Sequence, residues 1–430
     1  GDRFIPRRID VSMFELNDSS DKDRNDVATE DVRKGAYNAE LAKRLMEREP
    51  PMPASKVLIF GARKRSRAAE DQNASPCKAA LITPSRSTRH IPMMPERILS
   101  APDLVDDWYL NLLDWSSSNM LAIALGKSVW LRNGNNGSIM HLMDLPNPEI
   151  VTSLAFACPG ASNYLAVGTS AHEVLILDIA IGRRLRTTGG HNARVTSLSW
   201  AGDSGVLSSG GRDALVIHRD VRVKESQVGM LCGHDREVCG LRWSPWGTQQ
   251  LASGGNDNRL NIWDVRLTRL GSGHVARQPL HSLFAHRAAI KALAWCPWRR
   301  NVLASGGGTS DRMVRTWDSG NGACLHAIDT KAQVSAIEWS HHDRELISAH
   351  GYNRPGLILW RYPAMTKMAE LNTAGPHRIL SMAKSPDSTT VATTASDDTL
   401  CLWRVFSGGN AFRHVLTTSS DSITNSMPIR

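Results

Sequence analysis

No apolar run in this chain approaches the ~20 residues that a membrane helix needs. The opening residues, Gly1 to Arg8, are charged and hold no apolar signal region. No membrane partner is therefore expected. Cysteine is sparse: seven residues, at 77, 158, 232, 239, 296, 324 and 401, with no Cys-x-x-Cys pair. No Cys/His cluster has zinc spacing, so no metal is expected. An odd, scattered set suits buried thiols in a reducing compartment, either nucleus or cytoplasm. Catalytic signatures are missing too. There is no Gly-x-Ser-x-Gly, no phosphate-cradling Gly loop before a helix and no His-Glu-x-x-His. The expectation is a protein with no catalytic residue and no cofactor.

Aromatic residues make up only 6% of the 430 positions, yet 13 of them are Trp, and all 13 lie between Trp108 and Trp403. The net charge of +9 is just as uneven. Residues 1–50 carry 10 basic and 12 acidic side chains, whereas 51–102 carry 9 basic and 3 acidic. The basic stretch is densest at Arg63-Lys64-Arg65-Ser66-Arg67. It reads first as a solvated linker, and otherwise as an import signal or an acidic-partner contact. No aromatic side chains alternate with this charge to stack bases, so no nucleic-acid partner is expected.

The Trp-bearing part is a repeat. Seven segments end at Trp115, Phe156, Trp200, Trp243, Trp295, Trp339 and Lys384, at intervals of 41, 44, 43, 52, 44 and 45 residues. Each is followed by a dipeptide: Val129-Trp130, Leu177-Asp178, Arg219-Asp220, Trp263-Asp264, Trp317-Asp318, Trp360-Arg361 and Trp403-Arg404. A period near 43 with short β-type runs and Trp-Asp-like dipeptides is the signature of a propeller. The expected fold is all-β: a seven-bladed WD-repeat β-propeller with disordered N-terminal and C-terminal tails. The domains are 1–100 (tail), 101–408 (propeller) and 409–430 (tail). The long fourth interval implies a Gly-rich loop at roughly 267–280.

The repeats carry a polar set as well. Asp213, Asp257, Asp311 and Asp397 each precede the dipeptide by six residues, with His191, His234, His286 and His377 upstream. Such groups, buried with a Ser, need one another as hydrogen-bond partners. A hydrolytic triad uses the same residue types, but four repeated copies argue for structure. A propeller closes its ring between its two ends. The segment from Asp103 to Leu113 opens the first blade, and the last ends near Phe406. Closure is thus expected to bring Asp107 and Asp398 together.

Short motifs flank the propeller: Asp2-Arg3-Phe4-Ile5-Pro6, Lys56-Val57-Leu58-Ile59-Phe60 and the terminal Ile429-Arg430. Together with Trp108-Tyr-Leu-Asn-Leu-Leu-Asp-Trp115, Ser253-Gly-Gly-Asn-Asp-Asn258 and Gly306-Gly-Gly-Thr-Ser-Asp-Arg312, they resemble the Fizzy family of activators of the anaphase-promoting complex. The resemblance runs nearly end to end. Trp295-Cys-Pro-Trp298 and Lys56–Phe60 favour its mitotic, cell-division-cycle branch over the Fizzy-related one.

That resemblance implies a substrate-recognition subunit of a ubiquitin ligase, partnered by the ligase core and by degron-bearing proteins such as cyclins and securin. Asp2 to Pro6 would dock on the ligase as the family's C-box, and Ile429-Arg430 would enter a tetratricopeptide groove. Lys56 to Phe60 would be clasped as an added strand by a HORMA-fold spindle checkpoint protein. Asp107 and Asp398 would hold the Arg of an Arg-x-x-Leu destruction box. Asn256, Asn258, Thr309, Gln333 and Arg378, with Asp114 contributing, would read a Lys-Glu-Asn degron. The tail itself contains no Lys-Glu-Asn, a departure from many mitotic members. Ser75-Pro76 and Thr83-Pro84 are candidate phosphosites in the basic stretch. The competing readings are a WD-repeat scaffold outside the ligase, and a propeller enzyme with acids clustered in its channel.

Overall fold

The computed structural model describes residues 89–408, except 158–162, 203–204, 224–225, 248, 269–274, 277 and 374. Seven sheets, antiparallel apart from one added strand, follow one another along the chain, one per repeat. The strand ending each sequence segment is the innermost of its blade. Val195–Trp200 and Ile290–Trp295 are buried at all six positions, whereas the outermost Arg183–Thr188 is mostly exposed. An inner strand is flanked by neighbouring blades on both faces. It therefore reads as a continuous buried run and shows no two-residue alternation.

Close blade contact explains the Gly pairs. A Cβ on Gly254 would lie 2.4 Å from the Ile290 carbonyl of the next blade, and one on Gly306 would lie 2.4 Å from Val334. Apolar clusters fill the remaining space between blades. One joins Val216, Val238, Leu241, Leu251 and Trp263.

The polar set forms in three blades. His234 Nδ1 meets Asp257 Oδ2 at 3.0 Å and its Nε2 meets Ser253 Oγ at 2.8 Å, while Trp263 Nε1 donates to the same Ser at 2.9 Å. His286, Asp311, Ser305 and Trp317 repeat this. In the third blade His191, Asp213 and Ser209 do the same, with Arg219 in the place of Trp. Burial would push the Asp213, Asp257 and Asp311 carboxyls up, but the His contacts and backbone N–H donors hold them below the usual range.

Four expectations need correction. The seventh blade has no such set among the described residues: His377 and Asp397 are exposed, Trp403 bonds Thr393, and Asp397 accepts from Thr399. In the first blade the position paired like Trp263-Asp264 is Arg132-Asn133, three residues beyond Val129-Trp130, because Met120 pairs with Asn133. The insertion is not all loop. Val265–Thr268 makes a helical turn, and Val275–Ala276 adds a parallel fifth strand to the third blade. Finally, the boundary after residue 100 leaves a strand of the propeller on the tail side. Arg97–Ser100 is the outermost strand of the seventh blade, pairing Thr399–Leu402, and it closes the ring. Arg89 extends the contact, donating to Asp343, Glu345 and the Val405 carbonyl.

Candidate functional site

Inner strands from all seven blades line a central channel of about 320 Å³. One mouth is crossed by residues 106–111, which touch five other blades. Asp106 pairs with Arg378, and Asp107 with Arg194 at 2.7 Å. The Tyr109 hydroxyl lies 3.3 Å from Asn256 Oδ1, and Lys291 Nζ donates to the Leu110 carbonyl at 2.7 Å. Asn111 Nδ2 donates to the Thr196 and Cys239 carbonyls, and the Asn111 backbone bridges Ser153. Trp108 is buried beneath, with Tyr109 against its edge at 5.3 Å.

Above this crossing segment lies an open depression of about 1040 Å³. Its wall is built twice over from equivalent repeat positions. Arg236, Arg287–Ala289, Gln333 and Arg378 come just before inner strands. Asn256–Arg259, Gly308–Ser310 and Tyr352 come from turns between second and third strands. A repeat thus brings residues up to 272 positions apart onto one surface, as Arg378 and Asp106 show.

The turn bearing Asn256 and Asn258 is held from below. Asp257 accepts the N–H groups of Asp235 and Arg259 in addition to His234. Asn256 N–H donates to the Glu237 carbonyl at 2.8 Å, and Asn258 takes a left-handed φ of 65°. Asn tolerates that conformation better than most residues. The Arg378 guanidinium stacks 4.7 Å over the Tyr352 ring. Gln333 is 5% exposed and its side-chain oxygen has no hydrogen-bond partner among the described residues. Thr309 is exposed on the rim.

Five of the six residues expected to read Lys-Glu-Asn line this depression: Asn256, Asn258, Thr309, Gln333 and Arg378. The sixth, Asp114, does not. Its carboxylate lies on the channel wall and accepts the Phe156 N–H at 2.7 Å, and burial pushes its pKa up.

Asp107 and Asp398 have different surroundings. Asp398 sits in the turn before the third strand of the seventh blade, where its carbonyl accepts the Ala101 N–H at 2.7 Å. From there the chain runs inward, and Asp107 lines the depression while Asp398 does not. Closure brings Asp398 beside Ala101 instead.

Sequence reasoning missed Asp106, Tyr109, Tyr352 and Arg194. Asp106 and Tyr109 adjoin Asp107, which was itself a signal. Arg194 and Tyr352 had none. The docking residues Asp2, Arg3, Phe4, Ile5, Pro6, Lys56, Val57, Leu58, Ile59, Phe60, Ile429 and Arg430 lie outside the described residues, as do Ser75 and Thr83.

A family model described as the CDC20/Fizzy WD40 domain matches residues 99–403. The chain belongs to the CDC20/Fizzy family. Among its CDC20/Fizzy relatives is "Cell division cycle 20.1, cofactor of APC complex" of Arabidopsis thaliana, 43% identical over 94% of this chain and 87% of the relative. "Anaphase-promoting complex subunit cdc20" of Dictyostelium discoideum is 40% identical over 95% and 86%. "Protein FIZZY-RELATED 2" of Arabidopsis thaliana is 39% identical over 94% and 83%. A chain in the "Crystal Structure of Mitotic Checkpoint Complex" superposes with a TM-score of 0.69 at 40% identity, covering 74% of this chain and 98% of that one. The CDC20/Fizzy match begins at residue 99, inside the closing strand, which fits the ring described above.

Proposed function

We propose that this chain is a substrate-recognition activator of the anaphase-promoting complex, in the mitotic branch of the family, working in nucleus and cytoplasm. It binds the ligase core through Asp2–Pro6 and Ile429-Arg430, and a checkpoint partner through Lys56–Phe60. It performs no bond chemistry. By holding both ligase and substrate it raises the substrate's effective concentration at the ubiquitination site.

The observation that carries the reading is the depression itself, where an Arg, two Asn and a buried Gln oxygen converge from the fourth, sixth and seventh blades. Arg378 suits the Glu of a Lys-Glu-Asn degron, and Asn256 and Asn258 offer both donors and acceptors to its Asn. Asp107 joins this group and can draw the degron's Lys. Asp398, at the seam of the seventh blade and the closing strand, is left to hold the Arg of a destruction box.

Fluorescence polarisation of labelled peptides on the full chain tests this. Arg378→Ala is expected to weaken a Lys-Glu-Asn peptide by about tenfold, the loss of one charge-assisted contact. It should leave an Arg-x-x-Leu peptide unchanged, and Asp398→Ala should do the reverse. Equal binding of both peptides by parent and both variants sinks the assignment. Removing Ile429-Arg430 should abolish ligase binding without touching either peptide. A scaffold acting outside the ligase would show no such loss.

A further inference from the structure

Arg378 is not vacant. Its Nε donates to Asp106 Oδ1 at 2.8 Å, its NH2 lies 2.7 Å from the same oxygen, and NH2 also donates to the Asp106 carbonyl at 2.9 Å. One whole edge of the guanidinium is therefore used. Tyr352 stacks on the guanidinium, 4.7 Å from its ring centroid. The arginine side chain is 13% exposed and that of Asp106 is 52% exposed. The acid thus sits on the solvent side of the pair, where an incoming carboxylate must arrive.

Resting on the Lys-Glu-Asn reading, we propose that Asp106 is a resident competitor for the acidic residue of the peptide, and so a specificity-determining residue of this site. In this arrangement a bound Glu displaces Asp106 from the Nε–NH2 edge. A lone acidic side chain gains nothing by that exchange, because one carboxylate replaces another. A ligand profits only if it also satisfies neighbouring groups. The buried, unpartnered Gln333 oxygen asks for an N–H donor, and the Asn256–Asn258 turn offers further polar partners. Asp106 thereby rejects generic acidic segments and passes those that carry an amide beside the acid. The acid is half in solvent, so its grip is modest and the exchange costs little.

The test compares two labelled peptides, one with Lys-Glu-Asn and one with Lys-Gln-Asn, on the full chain. Asp106→Asn is expected to tighten the Glu peptide about threefold, the range set by a partly exposed ion pair, and to leave the Gln peptide within error. Asp235→Asn is the control. It also removes one negative charge from the wall of the depression, but Asp235 pairs with Arg259.

An equal gain for both peptides, or the same gain in Asp235→Asn, overturns the proposal and replaces it with a general field effect. An unchanged or weaker Glu peptide in Asp106→Asn also overturns it, with the Lys-Glu-Asn reading intact. If the parent binds neither peptide, the Lys-Glu-Asn reading fails first and the competitor falls with it. A short acidic peptide without Asn adds a check: it should bind Asp106→Asn detectably better than the parent.

Discussion

Replacing Asp257 by Ala is expected to lower the unfolding free energy by about 3 kcal/mol and to remove Lys-Glu-Asn binding. The first effect follows from burial. The Asp257 and His234 side chains are 5% and 1% exposed, and the carboxylate serves the imidazole and two backbone N–H groups. Deleting it strands the imidazole where water does not replace the acceptor, and loosens the two backbone N–H groups of the turn. The second effect follows from position. Asp257 lies between Asn256 and Asn258, and its bonds to Asp235 and Arg259 shape the turn that presents both.

Asp213→Ala separates the two effects. Asp213 holds His191 in the same way one blade earlier, but Arg212 and Ala214 flank it, and none of the three lines the depression. Denaturant unfolding should show similar losses for both variants. At a temperature where both remain folded, peptide titration should fail only for Asp257→Ala. Comparable peptide binding in the two variants would disprove the coupling of this structural carboxylate to the site.

Particular residues show why the fold was legible and the site only partly so. Inner strands end at Trp115, Trp200, Trp243, Trp295 and Trp339, where the repeat marked them. Each sits in the same seat, so the period alone found them. His377 misled because an isolated His has the same letter whether it is buried with an Asp and Ser or exposed in a turn. Asp106 was invisible for a different reason. Its partner is 272 residues away, and the contact depends on how a crossing segment spans the channel mouth. Periodicity specifies each blade but not which side chains of seven blades meet above the channel. Asp107 and Asp398 illustrate the same limit. Ring closure was legible, but the strand that performs it lies ahead of the segment expected to do so, and it is Ala101 that meets Asp398.

Lys291 supplies the other large expectation. It is 5% exposed and donates to the carbonyls of Leu110 and Leu380 at 2.7 Å each, so it fastens the crossing segment to the fifth and seventh blades. Burial lowers its pKa from 10.5 to about 7, with the nearby Cys239 and Asp107 opposing that shift and Arg378 adding to it. A neutral amine has two N–H donors, which matches the two carbonyls.

The sign of the pH effect follows. Between pH 7 and 8.5 the unfolded chain keeps this lysine protonated while the folded one releases the proton. The unfolded state then binds more protons, and stability rises with pH, by about 1.5 kcal/mol over that interval. Lys291→Met should lose about 3 kcal/mol, because two buried carbonyls lose their donors, and should also lose this rise. Thiols ionising in the unfolded chain push stability the opposite way, and they cancel in the difference between parent and variant. Urea titrations at pH 7.0 and 8.5 measure it. A rise of the same size in Lys291→Met would remove the lysine from the account. Because Leu110 follows Tyr109 and Asp107 in the crossing segment, the variant should also bind the Lys-Glu-Asn peptide more weakly. The same amine would then secure both the closed channel and the floor of the site above it.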